Sequence, residues 1–320
     1  GKEGKRIVLR SPKNDLNQGK VLQSPENGAD IYLTINHYIQ AITEEELARG
    51  VKFANAKGGW AIIMDPYTGD ILSIAQYPFF DPLSFKQHFN EKSYQEHFRI
   101  RAITDAFEPG SIFKPITMGV CMVANEVMQG QKRLPLFCPE EKLYTRKGIF
   151  PGRSKPLKDG RVHNYLNMYH GIQKSSNIYM ASVVKRVIDE FGDNWYRQAL
   201  LQLFGFGKKT NIELPAESIG LLPEIGKIHP NGRLEWSKST PYSLAIGHNI
   251  LVNSMQMIKS FAIIANGGMD VQPTLVKKVI KQKEGENYVL YDNFSKKAKE
   301  RILSKPICDE LIKAMKYVTK

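Results

Sequence analysis

Glu108-Pro109-Gly110-Ser111-Ile112-Phe113-Lys114-Pro115 is the stretch that decides how this 320-residue chain is to be read. Pro109-Gly110 marks a chain reversal. The apolar positions that follow, Ile116, Met118, Val120, Met122 and Val123, predict a helix running into a core to about Gln129. Ser111 at its mouth and Lys114 three residues on share a helical face, with Cβ atoms about 5–6 Å apart, so hydroxyl and amine come within hydrogen-bond reach. A lysine held against an apolar wall loses hydration, which disfavours its charged form and lowers its pKa. Lys114 then has the character of a general base and Ser111 that of a nucleophile. The plain alternative is an N-cap serine with a surface lysine. A second Ser-x-x-Lys, Ser182 to Lys185, lies inside a periodic helical run with no turn before it, and there the solvated-face reading is preferred.

Working outward, Asn164 to Lys174 and Ile178 to Phe191 read as two helices hinged at Ser175-Ser176-Asn177. The hinge supplies a hydroxyl and an amide that either cap the next helix or complete a site with Ser111 and Lys114. Between the two constellations, residues 130–163 are basic and rich in Gly and Pro, an irregular excursion of a length that is uncommon unless functional. Upstream, Ile31 to Ile35 is a short strand candidate, Asn36 caps a helix carrying Ile39, Ile42, Leu47, Val51 and Phe53, and Trp60–Met64 with Ile71–Ala75 form a hairpin around Asp65-Pro66-Tyr67-Thr68-Gly69-Asp70. Tyr77 to Phe98 is an aromatic connection expected to drape over the sheet. Downstream, Trp195–Phe204 is amphipathic, Ile250–Ala265 reads as a helix ended by Asn266-Gly267-Gly268, Thr274–Ile280 and Asn287–Tyr291 alternate like paired strands, and Pro306–Tyr317 closes as a helix. Helices outnumber strands and the strands come as hairpins, so the fold class is α+β.

Composition sets wider bounds. With 42% hydrophobic and 24% charged residues the chain is globular rather than disordered. The net charge of +13 suits an anionic partner, but the basic residues are scattered over Lys132–Arg161 and Lys277–Arg301, which favours a basic surface over a nucleic-acid module. Cys121, Cys138 and Cys308 have no metal-ligand spacing and give no disulfide framework. No stretch has the roughly 18 apolar residues of a membrane span, and no signal peptide follows Gly1.

Taken together, the two triplets resemble the catalytic motifs of the transpeptidase domain of penicillin-binding proteins. The resemblance extends to Leu33-Thr34-Ile35-Asn36, Met64-Asp65-Pro66, Thr68-Gly69-Asp70-Ile71-Leu72, Phe204-Gly205-Phe206-Gly207, Leu221-Leu222-Pro223, Ala245-Ile246-Gly247-His248 and Ala265-Asn266-Gly267-Gly268. These run in family order and look like the monofunctional, class B type, nearest its septal branch. The resemblance implies a penicillin-binding transpeptidase / serine β-lactamase-like fold, an antiparallel sheet flanked by helices with an all-helical subdomain. It makes residues 31–320 the transpeptidase domain and 1–30 a linker or the edge of a preceding non-catalytic domain.

The resemblance also implies roles. Ser111 is the acyl-accepting nucleophile and Lys114 its base. Ser175 relays protons, Asn177 holds the substrate amide and orients Lys114, and the Ser111 N–H is one oxyanion-hole donor. The substrate would be the D-Ala-D-Ala end of a peptidoglycan stem peptide, with β-lactams as mimics and no cofactor or metal. Partners would be a membrane-embedded glycosyltransferase and division proteins, not nucleic acid, with the domain on the outer side of the bacterial cell membrane behind an N-terminal anchor outside this chain. The family's Lys-Thr/Ser-Gly motif is not found: Lys209-Thr210-Asn211 lies too early and Lys238-Ser239-Thr240 lacks the glycine, so the chain is expected to stop before that strand with its sheet incomplete. The alternatives are a serine β-lactamase, for which no deacylating Glu loop is recognised, and a non-catalytic β-lactam sensor or scaffold of the same fold.

Overall fold

The computed structural model describes residues 1–7, 20–79, 83, 97–229, 231–283, 285–293 and 300–319. By internal contacts the chain divides into two compact units, one of Gly1–Thr34 with Thr274–Ala298, the other of Ile35–Pro273 with Lys299–Lys320.

In the smaller unit, β1 (Lys5–Ile7) pairs antiparallel with β2 (Lys20–Gln23), while β3 (Asp30–Leu33) pairs with β8 (Val276–Lys283), which pairs in turn with β9 (Glu286–Asp292). The strand candidate at residue 31 thus finds its partner far along the chain, with Tyr32 opposite Lys278.

The larger unit carries the remaining elements. Asn36 caps α1 (His37–Phe53), its side chain accepting from the backbone N–H groups of Tyr38 and Ile39 at 3.1 and 3.2 Å. Strands β4 (Gly59–Met64) and β5 (Ile71–Tyr77) form the expected antiparallel hairpin, with Asp65 Oδ1 bracing the turn through the N–H groups of Tyr67 and Thr68. The Gln40 amide fixes α1 to this hairpin by both donating to and accepting from the backbone of Ile74, each at 2.9 Å. The connection expected between Tyr77 and Phe98 lies for the most part outside the described residues.

After a single turn, α2 (Arg101–Thr104), the chain reaches the deciding stretch. Ser111 lies in a 3-10 turn, Gly110–Phe113, and the α-helix proper, α3 (Lys114–Gly130), begins at the lysine rather than at the serine. Pro115 explains the difference. It has no N–H to close an α-type bond back to the Ser111 carbonyl, and the tighter bond from the Lys114 N–H takes that oxygen instead. Helix α3 then buries Ile116, Met118, Val120, Cys121 and Ala124 completely, the pattern of a helix enclosed by others.

The excursion at 130–163 is irregular as expected, closed by a two-residue ladder between β6 (Leu143–Tyr144) and β7 (Tyr165–Leu166). Helices α4 (Met168–Gln173) and α5 (Asn177–Phe204) follow; Gly192, at φ 79° and ψ 170°, breaks α5 into the two helical stretches expected from the sequence. Next come α6 (Thr240–Leu244), α7 (Ser254–Ala265) and α8 (Lys305–Lys316). Helix α3 packs on α5 and α8, and α8 also lies against α4 and α7. Among the described residues no helix is long and apolar enough to cross a membrane.

Two further helix boundaries differ from expectation: α4 starts at Met168 rather than Asn164, because Tyr165–Leu166 pair as β7 and Asn167 caps the helix, and α7 starts late. Residues 250–252 are extended: Leu251 bridges Leu221, and Val252 bridges Phe107. Helix α7 starts only after Asn253, where a capping box joins the Asn253 and Gln256 side chains to each other's backbone. Asn253 is buried and its amide also donates to the Ser218 carbonyl at 2.7 Å. Asn253→Ala therefore deprives the Gln256 N–H and the Ser218 carbonyl of this partner and is expected to cost about 1–3 kcal/mol, read as a lower midpoint in thermal or urea denaturation.

Candidate active site

Positive φ at Gly110 (57°) and at Ser175 (52°) brings two turns face to face. Ser175 holds this left-handed conformation without being glycine, a strained choice of the kind that clusters at functional sites. The Lys114 side chain, 2% exposed, lies between the turns. Its Nζ donates to the Ser175 carbonyl at 2.5 Å, to Ser175 Oγ and Asn177 Oδ1 at 2.8 Å each, and approaches Ser111 Oγ at 3.2 Å. Ser175 Oγ donates to Ser111 Oγ at 2.8 Å. All four residues singled out in the sequence, Ser111, Lys114, Ser175 and Asn177, therefore meet at one locus.

The lysine contacts outnumber what an ammonium can satisfy, since three N–H groups face four oxygens. A neutral amine, with two N–H groups and a lone pair, also meets only three of the four, but its lone pair can accept from a hydroxyl, which an ammonium cannot do. Burial draws the Lys114 pKa down to about 8, against the opposing pull of the nearby Asp159 carboxylate. The amine is thus poised near neutral pH in contact with both hydroxyls.

Each turn is held from behind. The Phe107–Val252 bridge and a 2.9 Å bond from Gly110 N–H to the Gly247 carbonyl lay residues 247–252 along the Ser111 turn. Gly247, at φ 74°, comes so close that a Cβ there would stand 2.1 Å from the Gly110 carbonyl oxygen, so only glycine fits. Glu108 completes this clamp, accepting from the Asn249 N–H at 2.7 Å and lying 2.9 Å from His248 Nδ1. The bond to His248, then that from Asn249, holds the Glu108 carboxyl below its usual range.

Behind the second turn stands Asp159. Its carboxylate accepts from Ser176 Oγ at 2.5 Å and from the N–H groups of Asn177 and Ile178 at 2.7 and 3.0 Å, while Ser176 Oγ accepts from Tyr179 N–H at 3.0 Å. The first turn of α5 is thereby fully capped, with a negative charge where the helix dipole favours it. The neighbouring Lys158 carbonyl accepts from Asn177 Nδ2 at 2.9 Å, which leaves Asn177 Oδ1 aimed at Lys114.

Sequence reasoning found the four central residues but not this support. Asp159-Gly160 reads as a turn in the excursion, and nothing local says that its carboxylate caps a helix further on. Gly247 and His248 were family landmarks without a structural task. The other Ser-x-x-Lys behaves as read: Lys185 pairs with Asp189 on the surface of α5 at 2.5 Å. Thr210, beside Lys209, is buried and bound by the Glu217 carboxylate, and Lys238-Ser239 leads into α6.

A serine hydroxyl, a buried lysine amine, a second hydroxyl and an amide on an α+β frame define a serine–lysine site. The family model for the penicillin binding protein transpeptidase domain matches residues 59–320, and the chain belongs to that family. Among curated proteins it is similar to the probable peptidoglycan D,D-transpeptidase PbpC of Pseudomonas aeruginosa, 27% identical over 87% of this chain and 44% of that protein. It is also similar to the peptidoglycan D,D-transpeptidase FtsI of Escherichia coli, 26% identical over 89% of this chain and 43% of that protein. The chain spans less than half the length of these relatives.

Solved structures give the fold. A peptidoglycan synthetase from Bifidobacterium adolescentis superposes with a TM-score of 0.72 at 22% identity, covering 99% of this chain and 52% of that one. The transpeptidase domain of penicillin-binding protein 3 from Burkholderia pseudomallei gives 0.64 at 22% identity, covering 90% of this chain and 70% of that one. The fold is the penicillin-binding/β-lactamase-like α+β fold.

Removing the Asp159 carboxylate uncaps α5 and strips Ser176 of its acceptor. Asp159→Ala is expected to lose about 1–3 kcal/mol of stability, measured as a shift in the urea midpoint with unchanged slope.

Proposed function

We propose that the chain is the catalytic part of a peptidoglycan D,D-transpeptidase that works through an acyl-enzyme on Ser111. The single observation that carries this reading is the buried Lys114 amine in contact with both serine hydroxyls. Family membership supplies the substrate class, the D-Ala-D-Ala end of a stem peptide, with β-lactams as mimics.

In the proposed cycle neutral Lys114 accepts the Ser111 proton as Oγ attacks the carbonyl carbon of the penultimate D-Ala. The proton then passes from Lys114 to Ser175 Oγ, 2.8 Å away, and from Ser175 Oγ to the nitrogen of the departing D-Ala, beside Ser111 Oγ, which lies 2.8 Å from Ser175 Oγ. The C–N bond breaks, D-Ala leaves as the amine, and the ester on Ser111 remains. An amine of a neighbouring strand attacks the ester, gives its proton back along the same route, and regenerates Ser111 with a new amide. Asn177 keeps Lys114 aligned through Oδ1. The Ser111 N–H, preceding the first turn of α3, is one donor for the tetrahedral oxyanion.

The setting we infer is extracytoplasmic, at the bacterial cell membrane, in wall synthesis. A division role rests on the septal-type resemblance of the sequence segments, and partnership with a membrane-embedded glycosyltransferase on the same ground. Slow release of a bound penicillin separates this reading from a serine β-lactamase, which turns the drug over.

Two outcomes are expected. A fluorescent penicillin labels the protein covalently at Ser111: Ser111→Ala abolishes labelling, and Lys114→Ala slows it by several orders of magnitude, as removing one member of a cooperating unit does, while circular dichroism stays native. Labelling of the Ser111 variant would disprove the assignment. Because the reactive form is the neutral amine, the acylation rate should rise with pH and level off above about 8. Asp159 holds that pKa up, so Asp159→Asn should move the inflection to lower pH in a stopped-flow pH–rate profile.

A further inference from the structure

The excursion between α3 and α4 is not used by the chemistry beyond Lys158 and Asp159, yet its second half is tied to the walls of the site at two points. At the first point Gly152 packs so closely on Lys238 and Ser239 that a Cβ would lie 2.7–2.9 Å from them, and Arg153 donates to Ser243 Oγ at 3.2 Å. That segment leads through α6 to Gly247, which backs the Ser111 turn. At the second, Lys158 and Asp159 hold the Ser175–Asn177 turn. The excursion therefore borders the nucleophile on two sides.

Its outer surface has two properties that packing does not explain. First, Tyr144 and Tyr165 are cross-strand partners of the β6–β7 ladder, and their rings stand 5.5 Å apart, tilted by 60°, with 44% and 59% of the side chains exposed. Leu143 and Thr145 on either side of Tyr144 point inward, so Arg146 shares the outward face with the tyrosines. Second, Lys142, Arg146, Lys147, Lys155 and Arg161 are exposed and enter no ion pair among the described residues. The ion pairs nearby use Arg133 and Arg186 instead. Asp159 is the sole acid from 142 to 163, and its carboxylate is consumed by the α5 cap.

We propose that this face is a binding surface for an anionic, peptide-bearing glycan strand. Exposed tyrosine rings offer flat apolar faces on which the C–H faces of pyranose rings pack while hydroxyls at the ring edge stay hydrated. Unpaired guanidinium and ammonium groups meet the carboxylates of stem peptides. The choice of a glycan partner over a nucleic acid rests on the acyl-transfer reading of the adjacent site. The surface would hold the polymer while one stem peptide reaches Ser111.

The test is pelleting of the purified chain with isolated peptidoglycan sacculi. Two double variants are compared, Tyr144→Ala with Arg146→Gln, and Lys155→Gln with Arg161→Gln; the second changes only exposed side chains without a described hydrogen bond. Each pair is expected to weaken sacculus binding by about five-fold, and added salt should weaken the wild type more than the second pair. Fluorescent-penicillin labelling of the same samples should be unchanged. Undiminished pelleting by both pairs overturns the proposal, and so does a single-stranded DNA oligonucleotide that binds the wild type more tightly than sacculi and displaces them. Labelling without any pelleting also defeats the surface alone, whereas pelleting without labelling defeats the acyl-transfer reading and leaves the surface standing.

Discussion

A lysine amine taken out of water and set among oxygen atoms is the constraint on which this structure turns. Burying an ammonium group is costly unless it is fully hydrogen-bonded, and Lys114 is given a carbonyl, two hydroxyls and an amide oxygen. Those acceptors come from two turns far apart in sequence, so the amine acts as the pin between helices α3 and α5. Its proton affinity is set by a balance: enclosure by α3 and its neighbours lowers it, and the Asp159 charge limits the fall. The same carboxylate that caps α5 therefore tunes the base, which joins local helix stability to reactivity through one side chain.

Much of this was legible in the sequence because it is written in local patterns. Asn36 before an amphipathic run, a Pro and Gly between two apolar strands, and Asn-Gly-Gly after α7 each state a boundary through backbone chemistry, and each is where the structure has it. The convergence of Ser111, Lys114, Ser175 and Asn177 was legible for a different reason: two weak triplets in a fixed order, each at a turn, constrain one another.

What escaped the sequence depends on distant partners. Ile250 to Val252 is as apolar as a helix face, and only the bridges to Leu221 and Phe107 make it extended and delay the start of α7. Apolar periodicity extends an α-helix back to Ser111, whereas the missing N–H of Pro115 holds that residue in a 3-10 turn. Asp159 looked like a loop residue, since no spacing rule connects it to Ser176. Along the sequence the excursion is scattered charge, and Tyr144 and Tyr165, 21 positions apart, become neighbours only through the short ladder that pairs them.

Gly192 interrupts the backbone ladder of α5 midway between the turn that carries Asn177 and the aromatic residues at its far end. A continuous rod of that length would act as a lever, carrying any shift of Phe204 in the core back to the amide beside Lys114. The positive-φ break at Gly192 divides that rod into two shorter helical stretches. The orientation of the amide beside Lys114 is accordingly fixed by its own bonds to Lys114 and to the Lys158 carbonyl rather than by an unbroken helical ladder reaching to Phe204.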